Sequence, residues 1–187
     1  MGYKLKFVTI GYLEWRKGQD ILVDAIEQLP SEISALTEFV IVGQNTTNLG
    51  QQLVERTNGI PNVKMMGKVS RDEIHKMLAN TDVMICPSRE DPMPTVCAEA
   101  MMHSVFCIVS DSIGTAKYIK DGYNGLIFKS ENSLELMNKI IWCIKHRDDL
   151  KGLGEKAHQI YEDIFSTKAF EKNLLKYVED MIGKAEN

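Results

Sequence analysis

Residues 82–111 read DVMICPSREDPMPTVCAEAMMHSVFCIVSD. Val83 to Cys86 is a short apolar run bounded by polar residues, which predicts a buried strand. Pro87 to Met93 is a polar loop, a helix starts near Pro94, and Phe106 to Ser110 is a second buried strand. Strand, helix and strand in that order make a βαβ unit. In an open parallel sheet, ligands lie beyond the carboxyl ends of the strands, where loops meet helix N-termini with unpaired N–H groups. The loop in that place carries Ser88, Arg89, Glu90 and Asp91, and Glu99 follows on the second helical turn. Such a density of charge at a helix start marks a candidate site.

Working towards the N-terminus, Asn62 to Val69 predicts a strand, and Ser70 with Glu73 has the spacing of a capping box for a helix ending near Leu78. Glu38 to Gly43 is another strand, followed by a polar loop and a helix marked by Leu53 and Val54, with a turn at Asn58, Gly59 and Pro61. Lys4 to Ile10 is the first strand and Gly11 to Gly18, GYLEWRKG, its exit loop. The next helix runs from Gln19 to Leu29 on Ile21, Leu22, Ala25, Ile26 and Leu29, until Pro30 stops it.

Towards the C-terminus, Ser112 to Ile119 is a loop leading into a short helix, and Gly125 to Phe128 is a last strand. Helices then follow at Ser133–Lys145, Leu150–Asp163 and Thr167–Ile182. This alternation predicts an α/β fold: a Rossmann-like doubly wound parallel sheet of five or six strands, helices on both faces and a helical C-terminus. The last helix puts Phe170, Leu174, Tyr177, Val178 and Met181 on one face. That face either packs on its own sheet or docks on a domain outside this sequence, and the pattern leaves both open.

The 187 residues carry 26 acidic and 22 basic side chains, a net charge of -4 and 44% hydrophobic residues, enough for one α/β domain with a full core. Interspersed signs argue against a nucleic-acid binder, which shows a basic face. No segment has the length of a membrane span and Lys4 to Ile10 is too short for a signal peptide, so a cytoplasmic protein is expected. Met1 and Gly2 read as residues added to an isolated domain. Cys86, Cys97, Cys107 and Cys143 fall in apolar strand and helix runs without a CxxC pair, which predicts reduced core thiols. His75, His103, His146 and His158 are scattered and form no metal motif.

Gly11 to Gly18 has neither GxGxxG nor the P-loop pattern, so ordinary NAD and Walker-type ATP chemistry lose support. What it offers is Gly11, open to close approach by a ligand, with Arg16 and Lys17 at the rim. Those two cations either neutralise a diphosphate or are surface charge; their place at a helix start, where cations oppose the dipole, keeps the first reading alive. In the loop of residues 87–94, Pro94 suits the first helical position, and the N–H groups of Thr95 and Val96 are free to meet phosphate oxygens. Glu99 points back along the helix, where one carboxylate accepts from two vicinal hydroxyls of a ribose; alternatively Asp91 caps the loop and Glu99 is a solvated acid. Gly114 and Thr115 form either an anion-binding nest or a simple cap. No GxSxG surrounds Ser88, so a catalytic triad is not expected.

Taken together, GYLEWRKGQDILVDAI, EFVIVG, VKMMGKVSRDEIHKMLANTDVMICPSREDPMPTVCAEAMM and VSDSIGTAKYIKDGYNGLIF resemble the donor-binding C-terminal domain of retaining GT-B glycosyltransferases, the family 4 group, over about residues 4–130. The resemblance implies that Lys17 binds the donor diphosphate beside Gly11, Tyr12 and Arg16, and that Asp91 lies near the donor sugar, with Lys17 and Asp91 the catalytic pair. It implies Glu99 on the ribose, the backbone of Thr95 and Val96 after Pro94 on the diphosphate, Lys68 and Val69 where the base packs, and Gly114 in the phosphate loop. A UDP-sugar is the expected donor, GDP-sugar the second choice, with no metal required. The chain would then be a single nucleotide-sugar-binding domain lacking the N-terminal domain that holds a saccharide or lipid-linked acceptor. The full protein would be soluble or peripheral at the inner face of a membrane. Alternatively, the domain is a non-catalytic nucleotide or sugar-phosphate binder with a regulatory role. That reading draws on departures from the family: Tyr12 in place of arginine, Asp91 in place of glutamate, Ile113 in place of glycine and Lys117 in place of an acid. Arg16 and Arg89 are the candidates to replace the missing arginine's five-donor fork.

Overall fold

A strand that is apolar at every position must be covered on both faces. Strands β1 (Leu5–Ile10), β2 (Thr37–Val42), β3 (Val63–Met66), β4 (Val83–Cys86), β5 (Phe106–Ser110) and β6 (Leu126–Phe128) form a single parallel sheet in which β4 and β5 are buried throughout and the edge strand β3 is half-buried. The computed structural model describes residues 3–185, so Met1 and Gly2, read above as additions, lie outside the described residues. Eight α-helices are described: α1 (Gln19–Glu27), α2 (Ser31–Ser34), α3 (Asn48–Thr57), α4 (Arg71–Leu78), α5 (Thr95–Met102), α6 (Ser133–Lys145), α7 (Leu150–Ile160) and α8 (Thr167–Ala185).

Alternate strand residues feed two separate cores. Phe7, Phe39, Ile85, Phe106 and Phe128 face α1, α3 and α6, meeting Leu22, Leu53 and Ile140. Val8, Met84, Cys107 and Val109 face α4, α5 and α7, meeting Leu78, Met101 and Ala157. Phe7 and Phe39 are paired in register and stack at 5.0 Å between centroids. Each such side chain, fully buried, contributes about 1.5–3 kcal/mol, so these two layers dominate stability. All four cysteines are free and buried, as their apolar context predicts.

The strand order is β3-β2-β1-β4-β5-β6. After β1 the chain builds outward through β2 and β3, then returns to the other side of β1 to lay down β4. That reversal leaves a crevice between the exits of β1 and β4, the position where doubly wound sheets bind ligands.

Most expected elements are found with small shifts. Strand β3 stops at Met66 rather than Val69, and the helix expected after β5 is a 3-10 turn at Gly114–Tyr118. Helix α7 ends at Ile160 and passes through a wider turn at Tyr161–Phe165, and α2 was not foreseen. The capping box is present, with Ser70 and Glu73 each bonding the other's backbone; those bonds to Ser70 hold the Glu73 carboxyl below its usual pKa. The last helix answers one of the two readings left open above. Phe170, Leu174, Tyr177, Val178 and Met181 are 44–65% exposed, so the apolar face of α8 does not pack on the sheet.

Candidate functional site

Both loops at the switch point are held by backbone contacts. A Cβ on Gly18 would stand 2.1 Å from the Pro87 carbonyl oxygen, and Gly18 has φ +68°, so only glycine lets the β1 exit pass against the β4 exit. The Arg16 carbonyl accepts from Arg89 N at 2.9 Å, a second tie across the same seam. On the far side, a Cβ on Gly114 would meet the Pro92 carbonyl oxygen at 1.7 Å, and Gly114 N donates to the Asp91 carbonyl at 3.0 Å. Three strand exits are thereby drawn into one rim.

Lys17 and Asp91 face each other across the crevice. The Lys17 Nζ is 2.6 Å from Asp91 Oδ2, with side chains only 22% and 11% exposed. An exposed pair is worth about 0–1 kcal/mol, but a shielded one couples more strongly, and removing one partner strands the other. Asp91 Oδ1 also accepts from Met93 N at 3.2 Å, which turns the chain towards α5. Pro94 is the N-cap residue of α5 rather than its first helical residue, and it supplies no side-chain cap. The amides of Thr95 and Val96 therefore begin the helix uncapped, with its positive dipole end beside the ion pair. Glu99 follows on the same helix, 19% exposed, with Arg71 of α4 at 3.5 Å.

Other expected residues sit as follows. Gly11 meets only ordinary contacts, Gln19 Nε2 at 3.5 Å and Lys17 Cδ at 3.7 Å from a notional Cβ, so no neighbour within the fold demands a glycine there. The Tyr12 hydroxyl lies 2.6 Å from Thr46 Oγ1 at the outer edge of the loop. Arg16 is exposed and paired with Glu14 at 3.2 Å. Lys68 is exposed and Val69 half-buried, both beyond the end of β3 and two strands from the crevice. The Gly114 amide is already engaged by the Asp91 carbonyl and the Ala116 amide by the Ile113 carbonyl, so the successive free amides of a nest are not found there.

One expectation needs correction. Arg89 is not free to replace the missing arginine: its side chain is 9% exposed and held between Asp20, at 2.7 Å, and Glu131, at 2.6 Å. The hydrogen bonds to Asp20, more than those to Glu131, raise its pKa above that of an ordinary arginine despite burial, so its charge is permanent. Ile113, which stands where the family has glycine, is 3% exposed and packed in the core beside Val109, forming a bridge to Asp91.

Several groups were missed. Gln19 is 1% exposed; its Nε2 donates to the Gly11 and Tyr12 carbonyls at 3.4 and 3.1 Å, while its Oε1 is buried without a partner. Its amide fixes the mouth of the β1 loop, although in the sequence it is one more polar residue starting a helix. The WRKG run offered a signal for Gly18, since a glycine ahead of a helix often marks a positive φ. His75 and His103, scattered in sequence, come within 3.0 Å of each other between α4 and α5. Among the described residues no three His, Cys, Asp or Glu side chains are grouped to hold a metal ion. No helix among them is long and apolar enough to cross a membrane.

The relatives agree with this architecture. A glycosyltransferase of Methanocaldococcus jannaschii, MJ1178, is 27% identical over 150 residues, which cover 80% of this chain and 41% of that protein. Granule-bound starch synthase 1 of Arabidopsis thaliana is 32% identical over 117 residues, 62% of this chain and 19% of that one. The crystal structure of Anabaena Alr3699/HepE in complex with UDP-glucose matches with a TM-score of 0.81 and 21% identity, over 95% of this chain and 49% of that one. At that identity the likeness speaks for the fold. The chain spans less than half the length of each of these proteins. Residues 2–160 match the family described as Glycosyl transferases group 1, and the chain belongs to that family.

Proposed function

We propose that this chain is the donor half of a retaining glycosyltransferase, binding a nucleoside diphosphate sugar in the crevice between the exits of β1 and β4. The observation that carries the reading is the shielded Lys17–Asp91 pair at 2.6 Å, set beside the uncapped N-terminus of α5. A lysine and a helix N-terminus are the two commonest ways to receive a diphosphate, and Glu99 supplies the carboxylate for a ribose. UDP is the first choice of nucleotide, in keeping with the UDP-glucose of the Anabaena structure, and GDP the second.

Within this reading the diphosphate leaves as the sugar transfers, and negative charge grows on its oxygens. Lys17 and the amides of Thr95 and Val96 meet that charge where water is partly excluded, which favours the transition state over the bound donor. Diphosphate entry draws the Lys17 ammonium from Asp91, and the freed carboxylate then turns to the hydroxyls of the donor sugar. The saccharide or lipid-linked acceptor, and the group that completes its chemistry, belong to a second domain outside this chain. The exposed apolar face of α8 fits docking against that domain. Alone, the 187-residue chain binds donor but transfers almost nothing; transfer at a full enzymatic rate by this chain would refute the division of labour.

Calorimetric titration with UDP, GDP, ADP and their sugars tests the reading. Selective binding is expected, weakened about tenfold or more by Lys17→Ala and by Glu99→Ala, since a charge-assisted hydrogen bond is worth about 1.5–3 kcal/mol. Binding to none of them, or binding indifferent to both substitutions, contradicts it.

A further inference from the structure

Arg89 spends all five of its N–H donors inside the protein. Nη1 and Nη2 meet the Asp20 carboxylate at 2.8 and 2.7 Å, and Nε and Nη2 meet Glu131 at 2.6 and 3.0 Å. The remaining Nη1 donor goes to the Trp15 carbonyl at 2.6 Å, and the guanidinium lies over the Trp15 ring, 4.9 Å from its centroid. Three segments distant in sequence are joined by one side chain: the β1 exit loop with the start of α1, the β4 exit loop, and the turn after β6. Glu131 reaches Arg89 from a backbone with φ +69°, a conformation that residues with side chains rarely adopt. Such a residue persists only where its surroundings hold it.

The tie is next to the chemistry without touching it. Trp15 is two residues before Lys17, and Arg89 is two residues before Asp91. We propose that Arg89 is a positioning residue for the diphosphate site: by clamping these loops it fixes Lys17 opposite Asp91 and ahead of the α5 N-terminus. This rests on the donor-site reading above. Lysine cannot replace it, because an ammonium is a point charge with three donors and no planar fork.

The test compares the 187-residue chain with Arg89→Lys by two measurements, hydrogen exchange and UDP titration, the second in both the Lys17 and the Lys17→Ala backgrounds. Amides of residues 14–18 and 88–93 are expected to exchange faster in Arg89→Lys while strands β1 and β4 keep their protection. Affinity for UDP is expected to fall about tenfold when Lys17 is present, roughly the loss of one charge-assisted hydrogen bond. In the Lys17→Ala background the same substitution should cost less than about twofold, because coupled groups are not additive. Equal losses in both backgrounds would show a merely structural residue and overturn the proposal, as would unchanged loop protection. If Arg89→Lys does not fold, Glu131→Gln, which loosens the same clamp from the exposed side, carries both measurements. A wild-type chain that binds no nucleoside diphosphate overturns the donor reading and this role with it, whereas retained protection in Arg89→Lys overturns the role of Arg89 alone.

Discussion

The rim of the crevice and helix α8 treat their side chains in opposite ways. At the rim, charged groups are pulled out of water and matched: Arg89 with Asp20 and Glu131, Lys17 with Asp91. Along α8, large apolar groups are left in water, with Phe170 63%, Leu175 64% and Tyr177 65% exposed. Shielding charge is costly unless every partner is present, so the rim reads as finished within this chain. Apolar exposure on that scale, over the roughly three turns from Phe170 to Met181, reads as a surface made for something else. Under the proposed function, the contrast separates what the domain would do by itself, hold a ligand, from what would require further protein.

Substitutions can break this comparison, and the largest effect is expected at the rim. Gly18→Ala forces a Cβ into the Pro87 carbonyl and a side chain into the left-handed region, and should destabilise the domain by about 3 kcal/mol in urea unfolding. A loss below about 1 kcal/mol would mean that the two loops are not locked together. Next comes Lys17→Ala, which strands the mostly buried Asp91 carboxylate; a loss of about 1–3 kcal/mol is expected, recovered in part by Asp91→Asn in the same chain. Arg56→Ala removes an exposed cation from Asp24 and Glu27 and should cost under about 1 kcal/mol, a control for ion pairs in open solvent. Leu174→Ser on α8 should move stability by no more than about 0.5 kcal/mol in the same unfolding measurement, because its side chain is half exposed. A large loss there would show that α8 packs in solution.

A pH dependence adds a smaller test. Burial first, then the charge of nearby His75, lowers the pKa of His103, with Glu99 opposing. A base whose folded pKa is depressed stabilises the protein above its ordinary value near 6.5 and loses that contribution as pH falls through the folded value. The thermal midpoint should therefore decline on acidification from neutral pH, and His103→Gln should flatten that slope.

What could be read from the sequence followed the range of the interactions. Strands β4 and β5 and helix α6 were placed to the residue, because continuous burial and clear punctuation are local signals. The Ser70 and Glu73 capping box was legible for the same reason. Strand β3 was drawn too long since it is only half-buried at the sheet edge, and Gly67 ends it without a breaker pattern. Arg89 was misjudged because its partners are 69 and 42 residues away, and a loop arginine looks exposed until those segments are brought together. The burial of Ile113 was not legible for a similar reason: its bridge partner Asp91 lies in another loop. Lys17, Asp91 and Glu99 stand out in the sequence because residue type and helix position point to one ligand chemistry, whereas the 2.6 Å contact of Lys17 with Asp91 depends on the sheet order.

The central claim is that one nucleoside diphosphate occupies the crevice between β1 and β4. Backbone amide chemical shifts followed during a UDP titration test it most directly. The account predicts the largest perturbations at Gly11, Lys17, Thr95, Val96 and Glu99, in one saturable process. Saturable shifts confined to the opposite end of the sheet, or to α8, with these five amides unmoved, would contradict it.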